Sequence, residues 1–291
     1  IPSVPTLEGL KAFIPEPDRW PISDTWAYHD WHQKGNGAVK PFVDTMSREF
    51  GAPTGFEDFV RKAQMIDYAA HRAIFEGFAA HLWQPNSARM IWMTQPAWPS
   101  TEWNFLGHDY DTQSSFYGTQ KACEPVHAQL NLEDGAVDLI NLNQARSLKV
   151  RIRVLSLDGK SLSDKTNQIE AAADARTPVT QLDLDKLANG HAVLIKLNVD
   201  DATGAPLSDN FYWWARQDSS LQELDKLGEA QVTATAASSP SKSERKVTAT
   251  LRNTGSSPAI LAKLTLVNAS TGERILPAYY SENYVSLLPG E

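Results

Sequence analysis

The residues able to do chemistry crowd into the first 111 positions, and most are aromatic or acidic. Seven of the nine tryptophans, Trp20, Trp26, Trp31, Trp83, Trp92, Trp98 and Trp103, precede residue 104. Such a set can be core, but several members stand beside Pro, Gly, His or Asp, as in a cleft whose flat faces stack on sugars. Four carboxylates fall in the same region on expected loops: Glu49, Glu102, Asp109 and Asp111. Glycoside hydrolysis needs two carboxylates, one acid/base and one nucleophile or base. Glu49 follows no buried parallel strand and reads as a surface-loop residue. Asp109 and Asp111 flank Tyr110, where they can bind hydroxyls, and Asp111 can also cap the next helix. His29 and His32 are three apart around Asp30, yet Pro and Gly make the segment a loop and no third ligand is specified. Hydrogen-bonding histidines, and no metal site, are expected there. No Gly-x-Ser-x-Gly elbow, phosphate loop or dinucleotide fingerprint occurs, so no cofactor is expected. Cys123 is the single cysteine; it excludes an intrachain disulfide and reads as a small buried helix residue.

Composition narrows the class further. The 291 residues carry 27 Lys and Arg against 35 Asp and Glu, a net charge of −8, which argues against nucleic acid as the partner. Apolar residues make up 42%, enough for packed cores, and no apolar run is long enough to span a membrane.

The elements that must position these residues change character along the chain. Thr6 to Lys11 reads as a short helix closed before Pro15. Residues 15–53, rich in Pro, Gly, Trp and His, read as a long functional loop. Thr54 and Glu57 give a capping signal for a helix whose stripe is Phe59, Ala63, Ile66, Ala70, Ala73 and Gly77. Arg89 to Met93 reads as a buried strand, residues 94–111 as an aromatic loop, and Ser114 to Ala122 as a second helix ended by Pro125. That rhythm suits an α/β barrel, whose chemistry sits on loops after the strands. Beyond Pro125, alternating strands take over at Ala136–Ile140, Leu148–Val154, Val193–Val199 and Asn210–Trp214, with a hairpin turn at Asp158-Gly159. Leu224 to Gly228 reads as a linker. Strands follow at 230–236, 246–252, 259–267 and 284–288, with a loop at 238–241. The expected organisation is 1–125 as the C-terminal part of a barrel, 126–227 as a β-sandwich and 228–291 as a partial second sandwich.

These segments resemble a known family. Ile1-Pro2-Ser3-Val4-Pro5-Thr6-Leu7-Glu8 resembles the stretch directly after the nucleophile glutamate of family-two glycoside hydrolases. Phe56 to Gln64 resembles the penultimate barrel helix, and Ile91 to Trp98 the last barrel strand and its loop. Phe116-Tyr117-Gly118 with Lys121 to His127 resembles the last helix and domain junction. Asn210 to Trp213 and Ser281 to Glu291 resemble parts of two immunoglobulin-like domains. The resemblance runs over nearly the whole chain. Thr94-Gln95 and Glu124 to Leu132 are more similar to endo-β-mannosidases; Trp98-Pro99-Ser100 with Trp103 is more similar to exo-β-glucosaminidases.

The resemblance implies the fold class α/β plus all-β: the end of a (β/α)8 barrel followed by immunoglobulin-like sandwiches. It implies a retaining mechanism, with carboxyls about 5–5.5 Å apart, in which both catalytic glutamates lie outside this chain. The leading expectation is part of a β-mannosidase cleaving the mannose–N-acetylglucosamine linkage of N-glycan cores. The alternatives are an exo-β-D-glucosaminidase, or a non-catalytic carbohydrate-binding subunit. Trp92, Trp98, Trp103, His29, Trp31 and Asp109 are the expected substrate-binding residues. The expected partners are an oligosaccharide or N-glycan and a polypeptide carrying the glutamates. A secreted, periplasmic, vacuolar or lysosomal location is favoured.

Overall fold

A computed structural model describes residues 3–32, 39–85, 87–102, 104–241 and 244–291. Its N-terminal portion is helical. Helix α1 (Leu7–Phe13) is capped by the Thr6 hydroxyl, which accepts from the Gly9 N–H, and α2 (Asp24–Tyr28) follows. The described residues of 15–53 do not form the expected long loop, and its part at 33–38 lies outside the described residues. Val39, Phe42, Met46 and Phe50 recur at helical steps and bury one face of α3 (Val39–Phe50).

Helix α4 (Phe56–Ala79) is the spine of this portion. Its cap is not the expected Thr54–Glu57 pair; the Asp58 carboxylate accepts from the Thr54 N–H at 3.0 Å. The stripe is followed through Phe59, Ala63 and Ile66, but Ala73 and Gly77 are exposed. In the second half the buried face is His71, Arg72, Glu76 and Ala79, because a polar network docks there. Helix α5 (Ser114–Ala122) lies against α4 at Gly118, where a Cβ would sit 2.3 Å from the Tyr68 carbonyl oxygen. Cys123 caps α5 and is exposed rather than buried.

Among the described residues up to 125 there is no β-strand, so the barrel portion expected from the sequence is not formed. Arg89 to Met93 is an exposed loop. A buried strand needs hydrogen-bonding neighbours, and among the described residues none stands beside this run.

The sandwich is built from β1 (Val126–Leu130), β2 (Ala136–Asn141), β3 (Arg146–Ser156), β4 (Ser161–Ala171), β5 (Ala175–Gln181), β6 (Val193–Asp201) and β7 (Pro206–Trp214). A three-stranded sheet β1-β2-β5 faces a four-stranded sheet β4-β3-β6-β7, and every pairing is antiparallel. Short α6 (Leu184–Ala188) links β5 to β6, with the Asp183 carboxylate accepting from the Lys186 N–H. In β3, Leu148, Val150, Ile152 and Val154 point into the core, whereas Lys149, Arg151 and Arg153 point away from it. β6 and β7 are apolar on both faces for a reason the order of residues alone does not give. Val193, Ile195, Tyr212 and Trp214 fill the sandwich, while Leu194, Phe211 and Trp213 pack against the helical core.

The expected linker near Leu224 is a 3₁₀ segment over Asp218–Lys226 that buries Leu221 and Leu224. Beyond it, β8 (Val232–Ser241) and β9 (Glu244–Asn253) form an exposed hairpin that includes the expected loop at 238–241. β10 (Ala259–Ala262) pairs with β11 (Val285–Leu287). The expected strand over 259–267 stops early because side chains take over its backbone. Asn283 Oδ1 accepts from Leu264 N–H at 2.7 Å and the Tyr280 hydroxyl from Leu266 N–H at 2.8 Å. No described helix is long and apolar enough to cross a membrane.

Candidate functional site

Two segments distant in sequence are held together at one end of the helical portion. Tyr28 ends α2, and the His29 carbonyl then accepts from both the Thr101 N–H (2.9 Å) and the Thr101 hydroxyl (2.8 Å). His29 Nδ1 lies 2.8 Å from the Pro99 carbonyl, which can only accept, so Nδ1 carries a proton. This places the Trp98 ring 5.5 Å from the His29 ring, tilted by 31°, and 5.3 Å from Tyr28 in an edge-on contact. Tyr28 is 70% and Trp98 38% exposed, whereas His29 is buried beneath them against Phe13. Buried Ser100 and Thr101 fix the second segment. The result is a rigid, partly exposed aromatic face of the sort that stacks on the apolar face of a sugar. Beside it, His32 Nε2 lies 3.3 Å from Glu102 Oε1 and 3.9 Å from Asp30 Oδ1.

The other expected site residues divide. Trp92 is 80% exposed on its loop, which removes core packing as its role here. Trp31 corrects the expectation: it is 2% exposed, wedged among Trp26, Phe42 and Phe59, and is core. Trp103 lies outside the described residues. Asp109 and Asp111 do not face open solvent as free hydroxyl binders. Arg274, from the C-terminal segment, forks onto them, with Nη2 2.9 Å from Asp109 Oδ2 and Nη1 2.8 Å from Asp111 Oδ2. Thr6 donates to the same Asp111 oxygen at 2.7 Å, so Asp111 ties three segments together instead of capping α5. Glu49 sits on α3, not on a loop, with Arg48 3.7 Å away; burial, then the Asp218 charge, raises its carboxyl above the ordinary range. A cavity of about 490 Å³ between α1, α4 and the C-terminal segment, lined by Val60, Gln64, Leu224, Ile260 and Tyr284, contains none of the expected site residues.

A second constellation escaped the sequence. Glu76 is buried where α4 meets β1 and β7. Its Oε1 accepts from Asn210 Nδ2 (2.7 Å) and the Tyr212 hydroxyl (2.8 Å) and lies 2.9 Å from His127 Nε2. The Arg72 guanidinium lies 3.9 Å from the centroid of the Tyr212 ring and donates to Asn210 Oδ1 at 3.0 Å. Burial pushes the Glu76 carboxyl up, but the His127 hydrogen bond, the Arg72 charge and the Tyr212 hydroxyl outweigh it, and the net shift is down. Burial pushes His127 down, but Glu124 and Glu76 outweigh it, and the net shift is up. Glu124 acts on His127 mainly as a charge, since Nδ1 and Oε2 are 3.7 Å apart. The sequence carried little signal for it, because Arg72 and Glu76 lie about 100° or more around the helix from the centre of the apolar stripe, where charged residues ordinarily face solvent.

Comparison with known proteins places this architecture. The Mannosidase Ig/CBM-like domain family matches residues 141–217, and the exo-beta-D-glucosaminidase Ig-fold domain family matches residues 210–291. The crystal structure of the exo-chitosanase CsxA of Amycolatopsis orientalis covers 100% of this chain with a TM-score of 0.87 at 27% identity. The chain belongs to glycoside hydrolase family 2. Within family 2, an exo-beta-D-glucosaminidase of Streptomyces avermitilis is 30% identical over 100% of the chain. A mannosylglycoprotein endo-beta-mannosidase of Lilium longiflorum is 29% identical over 72% of it. The chain spans 35% of the length of the first relative, 24% of the second and 38% of the CsxA chain. Its immunoglobulin-like domains thus correspond to the C-terminal part of a family 2 protein.

Proposed function

We propose that this chain is part of a retaining family 2 exo-β-D-glucosaminidase and supplies one wall of its sugar site. What supports the reading is the partly exposed Tyr28–Trp98 face on a chain aligning end to end with exo-β-D-glucosaminidases. Trp98 stacks on the sugar, with Trp92 and Trp103 on the same stretch of chain. The nucleophile and acid/base glutamates belong to polypeptide outside residues 1–291, in line with the likeness of Ile1 to Glu8 to the segment following the nucleophile. In this reading 1–125 is the substrate-facing unit, 126–227 the first sandwich and 228–291 part of a second.

A second reading, β-mannosidase action on N-glycan cores, is favoured by the lily relative and the mannosidase-type family match at 141–217. The two are separated by assaying the chain with the polypeptide that supplies the glutamates, on aryl β-D-glucosaminide and aryl β-D-mannoside. Faster turnover of the glucosaminide is expected; preference for the mannoside would move the assignment to the second reading. Robust turnover of either by the isolated chain would overturn the placement of the glutamates outside it.

A further inference from the structure

His32 and Asp30 lack a third ligand in the sequence, and the fold brings one from seventy residues away. One ligand atom each from Asp30, His32 and Glu102 lie within 4.8 Å of one another. The imidazole nitrogen is 3.3 Å from Glu102 Oε1 and 3.9 Å from Asp30 Oδ1. In a tetrahedral zinc site with bonds of about 2.0–2.2 Å, neighbouring ligand atoms are about 3.3–3.6 Å apart. The His32–Glu102 separation therefore already matches one edge of such a tetrahedron, the His32–Asp30 separation is a few tenths of an ångström longer, and small side-chain rotations would close the triangle on an ion. Among the described residues no hydrogen-bond donor reaches the Asp30 carboxylate, and one imidazole nitrogen faces both carboxylates while hydrogen-bonding only Glu102. A cation at their centre would be held by all three.

The backbone beneath is fixed in advance of the ion. Thr101, 1% exposed, bonds twice to the His29 carbonyl, and His29 Nδ1 bonds to Pro99. Asp30, at φ +69°, occupies the left-handed region that Asp tolerates better than most residues. The side chains keep 40%, 22% and 25% exposure for His32, Asp30 and Glu102, leaving a route in and room for a water ligand. One imidazole with two carboxylates suits Zn²⁺; Ca²⁺ and Mg²⁺ take oxygen ligands, and more of them.

We propose that Asp30, His32 and Glu102 bind one Zn²⁺, with water in the fourth position. The ion staples the segment carrying Tyr28 and His29 to the segment carrying Trp98, and so holds the aromatic face. This site is independent of which sugar that face takes.

The test is calorimetric titration of ZnCl₂ into this chain, carrying Cys123→Ser to remove the thiol. One saturable site is expected, with X-ray absorption giving nitrogen and oxygen ligands and no sulfur. His32→Ala and Glu102→Gln should each weaken binding by about a hundredfold, at the upper end of what even supporting residues around a metal cost. Neither should change the metal-free melting curve, since both side chains are partly exposed. His191→Ala, at the separate His191–Glu223 pair on the sandwich (3.1 Å), should bind zinc as the parent does. Absence of saturable binding, or binding that survives His32→Ala, would overturn the proposal.

Discussion

Glu76→Ala is the sharpest probe of how the helical portion is fastened to the sandwich. The carboxylate is buried and serves Asn210, Tyr212 and His127 at 2.7, 2.8 and 2.9 Å. Its removal takes the acceptor from the Tyr212 hydroxyl and from His127 Nε2, while Asn210 Nδ2 keeps the Ala128 carbonyl at 3.2 Å, and it leaves the buried Arg72 without the carboxylate 3.9 Å away. An orphaned buried polar group costs about 1–3 kcal/mol, and breaking a buried charge pair about 3–5 kcal/mol. The terms overlap, so a loss of about 3–5 kcal/mol is expected, out of a total near 5–15 kcal/mol for a typical domain. Chemical denaturation followed by circular dichroism reads this directly.

The pH dependence carries its own sign. Glu76 is depressed in the fold, so its contribution is present above the ordinary 4.5 and is lost as pH falls through the folded value. His127 is raised, so its contribution is full below the ordinary 6.5 and is lost as pH rises through the folded value. Stability should therefore peak at mildly acidic pH, and His127→Gln should flatten the alkaline side of the peak. A cost below about 1 kcal/mol for Glu76→Ala, smaller than one lost buried hydrogen bond, would refute the reasoning. So would an alkaline limb unchanged by His127→Gln.

Other substitutions test the remaining assignments. Trp31→Ala should cost about 3–5 kcal/mol by denaturant titration, as expected of a core residue. Trp98→Ala should leave the melting temperature nearly unchanged while weakening binding of β-linked oligosaccharide by the assembled enzyme, read calorimetrically; a collapse in melting would make Trp98 a packing residue. Gly118→Ala places a methyl against the Tyr68 carbonyl and should cost at least about 1–3 kcal/mol through separation of α4 and α5. Arg274→Ala should raise amide exchange over residues 106–112, because the fork that closes the Asp109–Asp111 turn is gone; unchanged exchange would show that the Gly107–Asp111 backbone bond (2.8 Å) suffices.

Strands β2, β3, β6 and β7 of the sandwich were legible in the sequence because their information is local, whereas β4 and β5 carry no comparable pattern and, like β1, are not among the expected strands. Leu148 to Val154 alternates in apolar and cationic residues, and a pleated strand sends alternate side chains to opposite faces, so the pattern and the structure coincide. Asp158-Gly159 likewise marks its turn, with Gly159 at φ +81° between β3 and β4. The first half of α4 could be read for the same reason. Family membership was legible too, from long ordered motifs that do not depend on knowing the contacts.

What the sequence could not give was decided by partners far along the chain. Whether Trp31 is core and Trp98 surface depends on which face Phe42 and Phe59 cover, not on composition. Arg89 to Met93 has the residues of a buried strand but, among the described residues, no neighbour to pair with, and a strand's backbone is satisfied only by another strand. Asp111 meets Arg274 across 163 positions, and Glu76 meets Asn210 across 134. Burying such charges is tolerable only when their partners arrive together, so tertiary packing, and not local propensity, determines where they lie.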